Sequence, residues 1–141
     1  IRVSELKYIT VETLETGRVQ VYNKGKIRDV YLPDVLIREL KKFCREEKEN
    51  DGIIFRGRGG DPINRSTVYK MIAYLGDMVG IKKEKVHPHS FRHFFAISYI
   101  ERYGNLAELA DLLGHTSIET TRIYTTSTVE EKRRKLNNLG L

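Results

Sequence analysis

His87 to Tyr124 reads HPHSFRHFFAISYIERYGNLAELADLLGHTSIETTRIY. Three of the chain's four histidines fall within its first seven residues, and the fourth, His115, follows a glycine near its end. Proline is tolerated in a first helical turn, where its missing N–H is not needed. A helix is therefore predicted to follow Pro88, from His89 to about Tyr103. On it His89 and Arg92, three apart, share a face, as do His89 and His93, four apart. Asn105 can cap a short helix that ends at Gly114. Thr116 and Glu119 form a capping-box pair ahead of a further short helix carrying Tyr124.

Upstream the periodicity changes. Ile1 to Lys7 reads as the end of a helix. Val19 and Val21, then Ile27, Val30 and Leu32, give two β-like runs separated by NKGK, where Gly25 is free to take a positive φ. Thr10 to Leu14 suggests a third short strand. Asp34 opens a helix to about Glu47, with apolar residues at Val35, Leu36, Leu40 and Phe43. GRGGDP is a loop, and Asn64 can cap a helix from Arg65 to about Val79, stopped by Gly80. Val129 to Leu139 reads as a last helix on a separate tether. These elements predict an α+β fold, a small antiparallel sheet against a mostly helical body. There is no internal repeat and no low-complexity segment.

A length of 141 residues, 40% of them hydrophobic and 31% charged, suits a single globular domain with a real core. Lys and Arg number 25 against 19 Asp and Glu, a net charge of +6. Such a surplus fits a polyanionic partner such as nucleic acid, or simply a solubilising surface. Cys44 is the only cysteine, so no intrachain disulfide can form, and its place in ELKKFCREE suits a small core residue. No apolar run approaches the roughly 18 residues of a membrane span. No signal peptide is visible. The chain opens without Met inside IRVSEL, which reads as mid-helix and suggests a fragment of a longer protein.

The His89/His93 pair could ligate zinc, but a zinc-hydrolase motif would place Glu where Ser90 stands, and no Cys or carboxylate cluster completes a site. His93, followed by Phe94 and Phe95, reads as structural, and His87 as a loop residue. Tyr124 is one of eight tyrosines. A free phenol, with a pKa near ~10, needs cations around it and its target to act as a nucleophile at neutral pH. Arg2, Lys24, Lys26, Arg92 and His115 are candidates. Two guanidinium forks match two non-bridging phosphate oxygens, and such a site can stabilise a pentacovalent phosphate without a divalent ion.

In this combination the sequence resembles the tyrosine recombinases, the phage-integrase superfamily. IRVSEL supplies the first arginine, Arg2, with Glu5 at a recurring acidic position. VYNKGKIRDVYLP supplies the hairpin lysine, Lys24, with Lys26 two residues on as the alternative. HSFR supplies His89 and Arg92, LLGH supplies His115, and Tyr124 lies nine residues beyond it. The resemblance covers the whole chain. It implies that residues 1–141 are a catalytic domain lacking the N-terminal core-binding domain and the first catalytic-domain helices. The implied substrate is double-stranded DNA, cleaved through a 3′-phosphotyrosine with no cofactor, no metal and no ATP. Tyr124 is then the nucleophile, Arg2 and Arg92 clamp the phosphate, and His115 hydrogen-bonds a non-bridging oxygen. His89 assists proton transfer, Lys24 protonates the leaving 5′-oxygen, and Glu5 orients a neighbouring cation. Residues 128–141 form a tail helix that packs on another protomer in a recombining tetramer. The family acts in the cytoplasm, on the nucleoid. A type IB topoisomerase and a DNA-binding module without catalysis are the alternatives.

Overall fold

The structure, a computed structural model, describes residues 1–23, 25–115, 117–125, 133–134 and 136–138. Lys24, Thr116 and most of the expected tail helix therefore lie outside the described residues. The chain divides into two compact units, Ile1–Arg92 and His93–Leu141.

The first unit begins with a 3₁₀ turn over Val3–Tyr8, then a single-turn helix α1 (Thr13–Thr16). Thr10 to Leu14 is thus not a strand. Thr13 Oγ1 donates to the Thr10 carbonyl at 2.8 Å, a local bond that competes with extended pairing. Only Thr10 keeps a bridge, to Ile53. Strands β1 (Arg18–Asn23) and β2 (Lys26–Tyr31) form an antiparallel hairpin in the register Val21 to Arg28 and Val19 to Val30. Asn23 faces Lys26 across the turn, and Gly25 sits at φ +74°, as a tight hairpin requires. Helix α2 (Asp34–Glu46) follows. Its inward side is Leu40 and Cys44, with Ile37 alongside, whereas Val35, Leu36 and Phe43 are exposed. Ile9, Leu14, Val19, Val21, Leu40, Cys44 and Ile54 make the core of this unit. Helix α3 (Arg65–Met78) starts where Asn64 Oδ1 accepts the Thr67 N–H at 2.8 Å, the expected cap.

Helix α4 (Pro88–Tyr103) begins one residue earlier than predicted. His87 is its cap and not a mere loop residue, since its Nδ1 accepts the Ser90 N–H at 3.2 Å. In the second unit, α5 (Leu106–Leu113) is capped by Asn105, which accepts the Glu108 N–H at 3.1 Å. Helix α6 (Glu119–Arg122) is entered through Ile118, with Ser117 Oγ accepting the Glu119 N–H at 3.2 Å. Tyr124 lies in a 3₁₀ turn, Ile123–Thr125, directly after α6. Ala96, Leu109 and Leu113 form this unit's core. Among the described residues no helix is long and apolar enough to cross a membrane.

Gly76 is buried in α3 against Val86. A Cβ at this position would lie 2.5 Å from Val86 Cγ1 and 2.7 Å from Cγ2, with Val86 Cβ itself at 2.9 Å, so turning the valine gives no relief. Alanine gains about 1 kcal/mol of helix propensity over glycine, but overpacking costs about 1–3 kcal/mol. Gly76→Ala should lower the urea unfolding midpoint, with a net loss of up to about 2 kcal/mol of stability. An unchanged or raised midpoint would mean the Val86 segment gives way freely.

Candidate active site

In the first unit, Arg2, Arg65, Tyr69, His89 and Arg92 line a pocket of about 150 Å³. Its walls include the first turns of two helices, Arg65 opening α3 and Pro88 and His89 opening α4. The free N–H groups of a helix N-terminus carry partial positive charge and favour an anion. The guanidinium groups add full charges of the same sign, in a planar form suited to phosphate oxygens. Arg65 is steadied against Tyr69, its Nη2 donating to the phenol oxygen at 3.1 Å with the guanidinium 5.2 Å from the ring centroid.

Beside the pocket lies Glu5, only 2% exposed. Its Oε1 accepts from Arg2 Nη1 at 2.9 Å, and its Oε2 accepts from both the Arg2 backbone N–H and Arg28 Nη2 at 2.7 Å. Burial alone would push this carboxyl up. The hydrogen bonds from Arg2, with the charges of Arg28 and Arg2, outweigh that and hold it below its usual value. The carboxylate therefore fixes Arg2 twice, through backbone and side chain.

The second unit holds the other two predicted residues. Gly114, at φ 64° and ψ 45°, closes α5, and the His115 N–H reaches back to the Ala110 carbonyl at 2.9 Å. That 6→1 bond is a Schellman closure, which needs a left-handed residue and explains the Gly-His pair. His115 Nδ1 is 2.8 Å from Oγ1 of Thr121, a fully buried side chain, and this bond fixes the imidazole plane. Tyr124 packs on the Ala96, Leu109 and Leu113 cluster, and its ring centroid is 5.2 Å from that of His93. Tyr99 beside the same cluster is placed the opposite way for a nucleophile. Its hydrogen bond to Glu108 pushes the phenol up to about 12.

Arg2, Glu5, His89 and Arg92 thus come together in one unit, and His115 and Tyr124 lie in the other. Lys24 lies outside the described residues. Lys26, the first residue of β2, is exposed. Among the described residues no group of three or more His, Cys, Asp or Glu side chains gathers as a metal site would require. Sequence reasoning missed Arg28, Arg65 and Thr121. Arg28 had left a signal. It alternates with Val30 and Leu32, so β2 turns it toward the core face, where an arginine needs a buried acid.

Residues 1–131 match the family model described as the phage integrase family. The chain is 31% identical over 148 residues to tyrosine recombinase XerA of Pyrococcus furiosus, covering 100% of this chain and 51% of that protein. It is 33% identical over 146 residues to tyrosine recombinase XerD of Staphylococcus aureus, covering 97% and 49%. The crystal structure of XerH site-specific recombinase bound to difH substrate, a pre-cleavage complex, is similar with a TM-score of 0.76 at 28% identity, over 94% of this chain and 40% of that one. The chain spans about half the length of the curated relatives it matches.

Glu5→Gln should cost about 3 kcal/mol near neutral pH, since it leaves two arginines over a neutral amide. The sign of the pH dependence follows from the lowered carboxyl. The contribution is complete above the ordinary value of 4.5 and is lost as pH falls through the depressed folded-state value. Urea unfolding of both proteins between about pH 7 and pH 3 should show the gap closing on the acid side. A gap independent of pH would assign Glu5 a packing role only.

Proposed function

The chain belongs to the phage integrase family, and from that premise we propose that it is the catalytic part of a site-specific recombinase that cleaves and rejoins double-stranded DNA through a 3′-phosphotyrosine. The observation that carries this reading is the pocket lined by Arg2, Arg65, His89 and Arg92 with Glu5 buried beside it. A phosphodiester in it meets fixed cations and two helix N-termini, the setting that lowers the energy of a pentacovalent phosphate. The relatives, tyrosine recombinases and a DNA-bound site-specific recombinase, support the same substrate class.

In this mechanism Arg2 and Arg92 hold the two non-bridging oxygens. Tyr124 Oη attacks phosphorus in line with the 5′-oxygen and loses its proton, with His89 assisting. The P–O5′ bond breaks and the 5′-oxygen leaves protonated, with Lys24 as its acid. His115, its ring held by Thr121, donates to a non-bridging oxygen. The phosphotyrosine keeps the energy of the broken ester, so a 5′-hydroxyl of another strand can reverse the step without ATP. Removing one preorganised donor from such a site costs on the order of 10²–10³ in rate.

Tyr124→Phe should bind DNA as well as the wild type but form no covalent complex on a nicked substrate that lets the cleaved end diffuse away. The wild type should form that complex in excess EDTA. Covalent trapping by Tyr124→Phe would remove Tyr124 from the role, and an EDTA-sensitive wild type restored by magnesium or zinc would replace the metal-free mechanism.

Lys24 and Lys26 flank Gly25 in the sequence, and a lysine that donates its proton to the 5′-oxygen spares the reaction a poor alkoxide leaving group. Lys24→Ala should lose cleavage of ordinary DNA yet cleave DNA whose bridging 5′-oxygen is sulfur, because a thiolate leaves unprotonated. Lys26→Ala should show no such selective rescue. Rescue of Lys26→Ala instead would shift the acid two residues along.

A further inference from the structure

Arg28 has no place in the mechanism above, yet it is the second cation on Glu5. Its side chain is 15% exposed, and the Nη2 to Glu5 Oε2 distance of 2.7 Å is as short as that from the Arg2 backbone. Its Nε and Nη1 are buried and find no hydrogen-bond acceptor among the described residues. Glu5 is therefore the acceptor that holds this guanidinium. In turn, β2 holds Arg28 in place, since it pairs with Val21, itself fully buried in the core. A rigid line runs from the hairpin core through Arg28 and Glu5 to both the backbone and the side chain of Arg2.

We propose that Arg28 is a positioning residue for the reaction: through Glu5 it sets the direction in which Arg2 meets the non-bridging phosphate oxygen. The inference rests on the phosphotyrosine reading. Without Arg28, Glu5 has one cation and is free to follow it. The carboxylate then swings toward Arg2 alone, and the guanidinium is drawn away from the pocket or left in several orientations. The pair can form without DNA, so the clamp is set before substrate arrives, which is where preorganisation gains its effect. Arg28 lies two residues after Lys26 on β2, in the hairpin segment that also supplies Lys24 in sequence, so two routes to the reaction are open to it, and substrate chemistry separates them. If Arg28 acts through Arg2, its loss is felt at the non-bridging oxygens. A methylphosphonate at the scissile position lacks one of those negative charges and needs less of the clamp. If Arg28 acts through the lysine, its loss is felt at the leaving oxygen, and bridging sulfur bypasses it.

The test uses the full-length natural protein with Arg28→Gln, Arg28→Lys and, as a control, Arg18→Gln, which removes the Arg18–Asp29 ion pair from the same hairpin without touching Glu5. Covalent-complex formation is measured on ordinary, methylphosphonate and bridging-sulfur DNA, with DNA binding measured in parallel. Arg28→Gln should bind DNA normally but form the covalent complex at least about tenfold more slowly on ordinary DNA, less than the loss of a direct donor. Arg28→Lys should fall between it and the wild type, and Arg18→Gln should match the wild type. On methylphosphonate DNA, Arg28→Gln should come within a few-fold of the wild type, while bridging sulfur leaves its deficit in place. Rescue by sulfur in place of methylphosphonate would overturn the proposal, as would a deficit that neither substrate relieves or no deficit at all. A wild type that traps no DNA would overturn the phosphotyrosine reading and this inference with it. A wild type that traps DNA equally well as Arg28→Gln would overturn the inference alone.

Discussion

The first unit is organised around one buried carboxylate. Glu5 is nearly inaccessible and accepts three hydrogen bonds, two from Arg2 and one from Arg28. An ionised carboxylate is expensive to bury unless charges and donors surround it. Here the donors come from the N-terminal turn and from the hairpin, so satisfying Glu5 obliges those two segments to meet. Val19 and Val21, buried on β1, set the hairpin against the core. The register Val21 to Arg28 then delivers the arginine to the same face. The hydrophobic core and the ion cluster are thus two consequences of one strand alternation.

In the second unit the organising forces are short-range. Gly114 reverses the chain, the His115 N–H closes on Ala110, and the His115 imidazole meets Thr121 six residues on. Tyr124 follows within one more turn and rests on the apolar cluster and on His93. The interval between His115 and Tyr124 is filled by one turn and one short helix, each anchored by a local hydrogen bond. This is why a spacing in sequence carries geometric meaning here.

That contrast accounts for what could be read without coordinates. The turn at Gly114 and the helix starts were legible because glycine closures and helix caps are local chemistry, and Asn64 and Asn105 cap where expected. The hairpin was legible from its alternation and from Gly25. The strand expected over Thr10 to Leu14 failed because two threonines bonded to each other and drew the chain into a helical turn. The apolar face expected of α2 failed in part. Helical spacing marks a stripe, but which edge of the stripe is buried depends on the neighbour, and here Leu40 and Cys44 are the residues that join the core. Arg28 and Arg65 were missed for the same reason. Their meaning lies in partners or neighbours far along the chain, such as Glu5 for Arg28, 23 residues away.

Electrostatics decides what the pocket is for. Arg2, Arg65 and Arg92 around one small space repel one another, and the N-termini of α3 and α4 add to that repulsion. Such a cluster opposes folding unless something offsets it. Glu5 supplies one negative charge, and it does so at the pocket's edge, engaged by Arg2 and Arg28. The offset is partial by placement. A carboxylate inside the pocket would satisfy the arginines and make them useless toward an anion. A carboxylate beside it steadies their scaffold and leaves the positive field open. A phosphate held there, as the proposed reaction requires, would relieve that repulsion and return on binding part of the stability given up in folding.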